Sequence, residues 1–335
     1  MVFMSNRPII ITGAAGFIGR NTVAELNRRG EHELILVDEL GKNTPGEWEK
    51  WSNLVGLHYE DLVSPEEFLG LLEDGAFAEA RAVIHLGACS ATTERDADYL
   101  VRNNYQYTRV LANWAISNDV RLVYASSAAT YGDGERGYED SDEVTPTLRP
   151  MNMYGYSKHM LDLWALKNGL FAPEGQVGIV GLKYFNVFGP YEEHKGDMRS
   201  VISKSVKQIR EEGVVRLFRS YKPEFADGEQ KRDFIYVKDA VDVTLHFALE
   251  DTETGGLFNC GTGEARTWLD LARATFAALD LEPKIEFIPM PEQLQGKYQY
   301  FTEATTDKLR AAGYERPFTK LEVAIDDYVR GFFRT

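Results

Sequence analysis

The fold is decided near the N-terminus by the stretch Ile9-Ile10-Ile11-Thr12-Gly13-Ala14-Ala15-Gly16-Phe17-Ile18-Gly19. Three consecutive isoleucines predict a buried strand, and the amphipathic residues 20–29 predict a helix after it. Glycines suit the turn between them, because one makes the tight bend, one admits a pyrophosphate and one lets the helix pack on the strand. The helix N-terminus then offers N–H donors to phosphate oxygens. The stretch therefore predicts a dinucleotide-binding turn.

An acidic residue at the end of the next predicted strand strengthens this interpretation. Asp38 lies about 20 residues after the glycines, where a carboxylate can bind the adenosine ribose. With Glu39 beside it, Asp38 would repel a 2′-phosphate and favour NAD. The cations Arg20, Lys42 and Lys50 lie nearby in sequence and could reverse that preference. The sequence leaves NAD and NADP both open.

Short apolar runs alternate with longer amphipathic stretches through the first half of the chain. Such alternation is typical of parallel strands joined by right-handed helical crossovers, with helices covering both faces of the sheet. We therefore predict an α/β fold with a doubly wound parallel Rossmann sheet. The predicted strands are residues 9–11, 34–37, 82–84, 122–124 and 177–182.

The alternation fades after Phe185, and two separated segments predict a second, smaller domain. A chain of 335 residues is long enough for about two domains. We expect a dinucleotide-binding Rossmann domain of residues 1–185 plus about 235–265. Residues 186–234 plus 266–335 would form a mixed α/β substrate-binding domain.

Composition excludes several classes of function. The 37 basic and 52 acidic residues give a net charge of −15, which would repel nucleic acid. We find neither an apolar run of about 18 residues nor a signal-peptide pattern, so we expect no membrane partner. The two cysteines, Cys89 and Cys260, lack metal-ligand spacing and are too few for a disulfide framework. We expect a cytoplasmic protein without a metal site.

A second group of residues has the composition of a proton-transfer site. Tyr154 and Lys158 lie at i and i+4, on one face of a predicted helix. A phenol titrates at about 10, and the neighbouring ammonium together with a positive nicotinamide ring would favour the phenolate. Ser127 ends the fourth predicted strand, where its hydroxyl can hydrogen-bond the alcohol that Tyr154 deprotonates. The pattern predicts oxidation and reduction of a substrate hydroxyl.

The third predicted strand also ends in residues suited to a cofactor. Residues 86–90 follow that strand at the carboxyl edge of the sheet, where cofactors bind in doubly wound folds. Cys89 fits a small wall residue better than a nucleophile, because no base is adjacent. We expect His85 to face the core. We also expect the helix before the fourth strand to begin at residues 103–105.

Together these motifs resemble the extended short-chain dehydrogenases/reductases and, within them, the ADP-L-glycero-D-manno-heptose 6-epimerase family. The glycine spacing and the Tyr154–Lys158 pair are shared across the larger group, whereas His194-Lys195-Gly196 and residues 103–107 are more particular to the heptose branch. The resemblance covers nearly the whole chain. The motifs that carry it are residues 12–19, 87–90, 103–107, 125–132, 152–158, 184–190, 194–196, 231–234, 259–263 and 296–299.

This resemblance implies an NAD(P)-dependent nucleotide-sugar epimerase that makes a precursor of the lipopolysaccharide core. The implied reaction inverts C6″ of ADP-D-glycero-D-manno-heptose to the L-glycero form. It passes through a 6″-ketone, with one tightly bound and recycled NADP or NAD per chain. Tyr154 or Lys195 would remove the hydroxyl proton, and hydride would return to the opposite face. A homo-oligomer is also implied.

The resemblance assigns further roles residue by residue. Catalysis falls to Tyr154, Lys195, Lys158 and Ser127. Cofactor contacts fall to Gly13, Gly16, Phe17, Ile18, Gly19, Asp38, Glu39, Lys50, Leu86, Gly87, Ala88, Cys89, Ser90, Asn103, Lys158, Val187 and Lys195. Substrate contacts fall to Ser127, Asn186, Asp197, Lys204, Phe218, Arg219, Ser220, Arg232 and Tyr298.

The sequence departs from the family pattern near the expected substrate pocket and ribose edge. Asp197 stands where a serine is common, and Lys204 where a histidine is common. Residues 221–229 resemble an insertion, and residues 41–50 form a longer segment than expected.

Three other functions compete with this one. A UDP-hexose 4-epimerase would use the same serine, tyrosine and lysine but no second base, so Lys195 distinguishes it. A dehydratase needs an acidic residue near the serine, where Ala128 and Ala129 stand. A non-catalytic nucleotide sensor on the same fold would usually lose Tyr154 or Lys158, which this chain keeps.

Overall fold

A computed structural model describes residues 7–41, 49–292 and 298–333. The strands are β1 (Ile9–Thr12), β2 (Leu34–Val37), β3 (Asp61–Val63), β4 (Ala82–His85), β5 (Arg121–Ser127), β6 (Val180–Tyr184), β7 (Asn186–Phe188), β8 (Val215–Phe218), β9 (Lys231–Tyr236), β10 (Gly256–Cys260), β11 (Ala265–Thr267) and β12 (Ile285–Ile288). The helices are α1 (Phe17–Arg28), α2 (Pro65–Glu73), α3 (Ala97–Leu100), α4 (Tyr107–Ser117), α5 (Met153–Lys167), α6 (Val201–Glu212), α7 (Val237–Leu245), α8 (Trp268–Ala278), α9 (Asp307–Ala311) and α10 (Leu321–Phe332). Within these ranges, every helix is too short or too polar to cross a membrane.

A central parallel sheet confirms the predicted doubly wound fold. Its seven strands within the described residues run in the order β10-β6-β5-β4-β1-β2-β3. The order reverses between β1 and β4, which opens a crevice at the carboxyl ends of the strands. Both faces of the sheet are covered. Ile10 packs with Phe68 of α2 and Leu111 of α4, whereas Ile11 belongs to the opposite layer with Val23 of α1.

Two small sheets lie outside the central one. β9 pairs antiparallel with β11 and parallel with β7, and β12 pairs parallel with β8. The chain leaves the central sheet after β6, returns for β10 and leaves again. This order of elements is compatible with a smaller region built from two segments, whose exact boundaries stay a prediction.

A buried ion pair fixes α5 against the ends of β5 and β6. The Lys183 ammonium lies 2.9 Å from the Asp162 carboxylate, and both side chains are fully buried. Tyr124 and Ser126 donate their hydroxyls to the same carboxylate at 2.9 and 2.8 Å. The Lys183 ammonium also donates to the Thr130 hydroxyl at 2.8 Å. Because each charge has several partners, the network can offset the cost of burying it.

The helix that contains Asn103 begins earlier than the sequence predicts. It starts at Ala97, where the Asp96 carboxylate accepts the Tyr99 N–H at 2.9 Å and caps the helix. A π-helical stretch, Val101–Gln106, then joins α3 to α4. The predicted start near Asn104 is therefore wrong, because the π-helical stretch interrupts the 3.6-residue periodicity on which it rested.

Candidate active site

Three backbone segments meet at the glycine turn after β1. Gly13 has a φ of +68°, and a Cβ added there would lie 2.6 Å from the nitrogen of Gly87, beyond the end of β4. A Cβ at Gly19 would lie 2.0 Å from the Gly13 carbonyl oxygen. α1 begins at Phe17, so the N–H groups of its first turn lack acceptors within the helix. The absence of side chains at Gly13 and Gly19 leaves a depression in the backbone here, which fits a pyrophosphate. We call this depression the cradle.

Asp38 lies at the end of β2 as predicted, but its carboxylate already has partners. One oxygen accepts the Ala15 N–H at 2.8 Å, and the other lies 2.5 Å from the Lys50 ammonium. Lys50 also donates to the Glu39 carbonyl oxygen at 2.9 Å. The predicted ribose edge therefore carries an acid paired with a cation, and the backbone of the glycine turn is tied to β2.

The three cations considered beside Asp38 have different positions. Lys50 pairs with Asp38, whereas the Arg20 guanidinium lies 3.5 Å from the centroid of the Tyr191 ring. Lys42 lies outside the described residues, as do residues 296–297. Of the two cations that lie in the described ranges, Lys50 therefore contacts Asp38, whereas Arg20 contacts Tyr191.

Adjoining cavities follow the carboxyl edge of the sheet and bring all the predicted cofactor residues together. Asn103 lines them beside Cys89 even though its helix begins early. Lys158 and Val187 line the neighbouring cavity, which also contains the catalytic candidates. The other predicted cofactor residues that line these cavities are Gly13, Gly16, Phe17, Ile18, Gly19, Asp38, Glu39, Lys50, Leu86, Gly87, Ala88, Ser90 and Lys195.

Tyr154, Lys158 and Ser127 line one cavity, and local structure holds them there. The Asn152 side chain accepts the Gly155 N–H at 2.8 Å and thereby caps α5 at its start. The Lys158 ammonium donates to the carbonyl oxygen of Ala125 in β5 at 2.8 Å. Burial lowers the pKa of Lys158 to about 8.

The expected lowering of the Tyr154 pKa is absent from the protein itself. Burial raises the pKa of Tyr154 above its ordinary value of 10, and the hydrogen bond with Ser127 opposes this only in part. The Lys158 ammonium is instead bonded to a backbone carbonyl oxygen of β5. At neutral pH the phenol is therefore protonated in the protein alone.

Lys195 lines the same cavity as Tyr154 but comes from another part of the chain. It lies in a 3-10 turn, Glu193–Met198, which bends at Gly196 with a φ of +52°. Its ammonium lies 5.2 Å from the centroid of the Phe17 ring. Burial lowers the pKa of Lys195. The cavity thus contains two groups able to move protons, one on α5 and one in this turn.

Some predicted substrate residues line the cavity, and others cluster next to a residue of its wall. The predicted residues Ser127 and Asn186 line the cavity, as does Trp268. The Arg232 guanidinium lies 5.8 Å from the Trp268 ring and 5.1 Å from the Tyr298 ring. Tyr298 in turn contacts Phe218, with 6.5 Å between ring centroids. These aromatic and cationic groups form a second cluster in contact with Trp268.

Four further predicted substrate residues are absent from the described cavity walls. The Lys204 ammonium donates to the Asp197 carbonyl oxygen at 2.6 Å, which ties the turn of Lys195 to α6. Ser220 donates its backbone N–H to the Asp227 carboxylate at 2.7 Å. Arg219 donates its backbone N–H to the carbonyl oxygen of Ile288 in β12 at 2.9 Å. Substrate contacts by these residues stay predictions.

Sequence reasoning missed the part of the wall contributed by distant elements. Trp268 and Leu271 come from α8, and Met198 and Ile202 come from the turn and helix after Lys195. Nothing local in the sequence marks these apolar side chains, because only the tertiary fold brings them to the cavity. The Trp268 ring, which lines the cavity and lies 5.8 Å from the Arg232 guanidinium, is the most consequential of them.

Comparison with known proteins agrees with this geometry. Residues 9–261 match the NAD dependent epimerase/dehydratase family. The chain belongs to that family. The prediction of an NAD-dependent enzyme on a Rossmann sheet is thereby confirmed, whereas the family description does not distinguish NADP from NAD.

Two relatives within this epimerase/dehydratase family are similar over nearly their whole length. The ADP-L-glycero-D-manno-heptose-6-epimerase of Nitratidesulfovibrio vulgaris strain DP4 is 52% identical over 324 residues, which cover 96% of this chain and 97% of the relative. The protein of that name from Fusobacterium nucleatum is 45% identical, with 97% of each chain covered. The resemblance drawn from the sequence motifs is thus confirmed.

Solved structures of the family share the fold. The Helicobacter pylori ADP-L-glycero-D-manno-heptose-6-epimerase has a TM-score of 0.79 at 25% identity and covers 100% of both chains. A Thermus thermophilus UDP-glucose 4-epimerase, solved in complex with NAD, has a TM-score of 0.73 at 23% identity and covers 98% of this chain and 99% of its own. At that identity the second likeness shows the fold alone.

We predict that Gly19→Ala removes bound dinucleotide. Its Cβ would overlap the Gly13 carbonyl oxygen, so α1 would move off the turn and stability would fall by about 1–3 kcal/mol. The matched control is Gly70→Ala in α2, where an added Cβ meets nothing within 4 Å. This control should gain about 0.5–1 kcal/mol. Absorbance of the extracted cofactor and urea unfolding measure both effects, and normal cofactor content in Gly19→Ala would refute the cradle.

Proposed function

We propose that the protein interconverts the two C6″ epimers of ADP-glycero-D-manno-heptose through a transient 6″-ketone. The observation that carries this proposal is a single cavity lined by two half-buried proton-transfer groups, Tyr154 and Lys195, from separate elements. An inversion requires proton transfer for alkoxides that point in opposite directions, so two such groups suit it. The names of relatives at 45% and 52% identity support the substrate.

The first half of the chemistry falls to β5 and α5. A bound nicotinamide cofactor would accept hydride from C6″ and later return it. In our proposal, Ser127 hydrogen-bonds the 6″-hydroxyl and Tyr154 transfers its proton. Lys158 holds a positive charge close to this site from its anchor on the Ala125 carbonyl oxygen, which favours the phenolate when a proton must leave. Lys158 is buried and Tyr154 is half-buried in the cavity wall, which limits the access of water to the reacting atoms.

The second half of the chemistry falls to Lys195. Its lowered pKa makes proton exchange near neutral pH easier than for an ordinary lysine. In our proposal, the ketone turns within the cavity and Lys195 serves the oxygen in its second orientation. A UDP-hexose 4-epimerase would need no such group, so the presence of Lys195 in the cavity wall favours the heptose reaction.

The cluster next to Trp268 supplies groups suited to the remainder of the substrate. We propose that Arg232 pairs with the diphosphate, because a planar guanidinium suits phosphate oxygens. Arg232 is 6% exposed, so solvent screens its charge little, and its guanidinium also donates to the carbonyl oxygens of Lys231 and Gln299. Tyr298 and Phe218 offer aromatic surfaces to the nucleotide, and Asn186 lies where it can hold the sugar.

We further propose a setting for this activity. The two free cysteines and the absence of a spanning helix in the described ranges are compatible with a cytoplasmic enzyme. The exposed side chains Tyr99, Val110 and Tyr156 lie on α3, α4 and α5, where a second copy could cover them in a homo-oligomer. The product would supply lipopolysaccharide core synthesis, as implied by the heptose itself.

We predict that Tyr154→Phe and Lys195→Met each slow epimerisation of the ADP-heptose by about 10²–10⁴-fold, with the double variant nearly inert. Each change removes one proton-transfer group and leaves an apolar side chain of similar length. NMR of the C6″ proton measures turnover, and cofactor content shows whether each variant folds. Full activity of Lys195→Met would refute the assignment of two acid/base groups.

We propose that the Lys50–Asp38 pair admits a 2′-phosphate, so the protein binds NADP as well as NAD. Lys50→Met would leave the Asp38 carboxylate unpaired at the ribose edge, and we expect the affinity for NADP relative to NAD to fall about tenfold or more. Titration of cofactor-free protein with both dinucleotides measures the ratio. Lys207→Met, an exposed lysine on α6, is the control. An unchanged ratio in Lys50→Met would contradict this role.

A further inference from the structure

A buried carboxylate closes the base of the turn that carries Lys195. Glu192 is fully buried, and its two oxygens accept the backbone N–H and the hydroxyl of Ser200, both at 2.5 Å. The Ser200 oxygen also accepts the Ser203 N–H at 3.2 Å and caps α6. One side chain therefore joins the two ends of the turn and connects them to the start of α6.

The C-terminal helix α10 supplies a third donor to the same carboxylate. The fully buried Tyr328 donates its hydroxyl to Glu192 at 3.0 Å. One turn later, Phe332 packs edge-on against Tyr191, with 5.0 Å between ring centroids. The same ring also contacts the Arg20 guanidinium from α1. Elements from both ends of the chain thus hold the segment that leads into the turn.

The turn needs such an anchor because few hydrogen bonds within it hold its backbone in place. Apart from its contacts with other elements, it is a short 3-10 turn in which the Lys195 N–H donates to the Glu192 carbonyl oxygen at 3.0 Å. Gly196 interrupts its helical geometry. A group that transfers protons must stay within hydrogen-bond reach of the reacting atom. A misplacement of about 1 Å can cost about 10²-fold in rate.

We propose that Glu192 is a positioning residue for Lys195: its carboxylate, clamped by Ser200 and Tyr328, fixes the turn and contributes a negative charge to the surroundings of the lysine ammonium. This inference rests on the proposed function, in which Lys195 transfers a proton. Neither a motif nor the local spacing marks Glu192, whose role follows from its burial and its three donors.

Besides holding the backbone of the turn, the Glu192 carboxylate affects the pKa of Lys195. Burial is the largest influence on the pKa of Lys195 and lowers it. The Glu192 carboxylate raises the pKa of Lys195, whereas the Lys204 ammonium on α6 lowers it further. The Tyr328 hydroxyl also lies 3.3 Å from the carboxylate of Glu193, the neighbour of Glu192. The other titratable groups that line the adjoining cavities are Asp38, Lys50, Cys89, Tyr154, Lys158, Tyr184, His194 and Arg199. Loss of the Glu192 charge should therefore shift the titration of Lys195 to lower pH.

The test compares Glu192→Gln, which removes the charge, with Tyr328→Phe, which removes one donor and keeps the charge. Competitive acetylation with isotopic acetic anhydride across pH, read by mass spectrometry, follows the Lys195 amine without any substrate. In Glu192→Gln we expect the midpoint of labelling to move to lower pH and the rate at pH 7 to rise roughly threefold or more. In Tyr328→Phe the midpoint should stay in place.

Turnover of the ADP-heptose supplies the second readout. Both variants should lower kcat, Glu192→Gln by about tenfold or more, with KM within about twofold of the wild type. An unchanged midpoint or an unchanged kcat in Glu192→Gln overturns the proposal. If that variant does not fold, Tyr328→Phe decides, and a wild-type kcat there overturns it. Failure of the proposed function would show separately, as full activity in Lys195→Met.

Discussion

The close approach of backbone at Gly13, Gly19 and Gly87 is the constraint on which the rest of the structure depends. Side chains at these positions would force β1, α1 and the end of β4 apart. Their absence lets the first helix begin directly above the sheet, where its N–H groups face the crevice. Asp38 then ties β2 to this turn through the Ala15 N–H. The cofactor edge is thus a consequence of packing that only glycine permits.

The catalytic side of the crevice is organised by a different force. The Asp162–Lys183 pair lies in the apolar interior and joins α5 to β5 and β6. Replacing such a pair by apolar residues is often neutral for stability, so we attribute its role here to the orientation of α5. It sets the position of α5, which carries Tyr154 and Lys158. Lys195 reaches the same cavity from outside the central sheet, on a turn held by buried polar contacts.

Much of this could be predicted from the sequence, because the decisive motifs are local. The glycine turn and the Tyr154–Lys158 pair depend on spacing within one strand, turn or helix, and the structure places both at the crevice. The strands of the Rossmann sheet were legible because buried parallel strands are continuously apolar. Recognition of the heptose branch rested on longer motifs, which the relatives at 45% and 52% identity confirm.

What the sequence did not reveal depends on tertiary contacts. Trp268 belongs to a distant helix, and the partners of Glu192 lie eight or more positions away or in the last helix. The π-helical stretch shifted a helix start without any residue that announces it. The pairing of Asp38 with Lys50 and the burial that raises the pKa of Tyr154 follow from packing and solvent exclusion, which no local spacing encodes.

The central claim is that one cavity removes hydrogen from C6″ and returns it to the other face without release to water. The most direct test uses ADP-D-glycero-D-manno-heptose deuterated at C6″, incubated in ordinary water with the protein and its bound cofactor. NMR and mass spectrometry then follow both configuration and label. We predict an L-glycero product that retains its deuterium. Loss of deuterium to solvent during inversion, or retention of label without inversion, would contradict the claim.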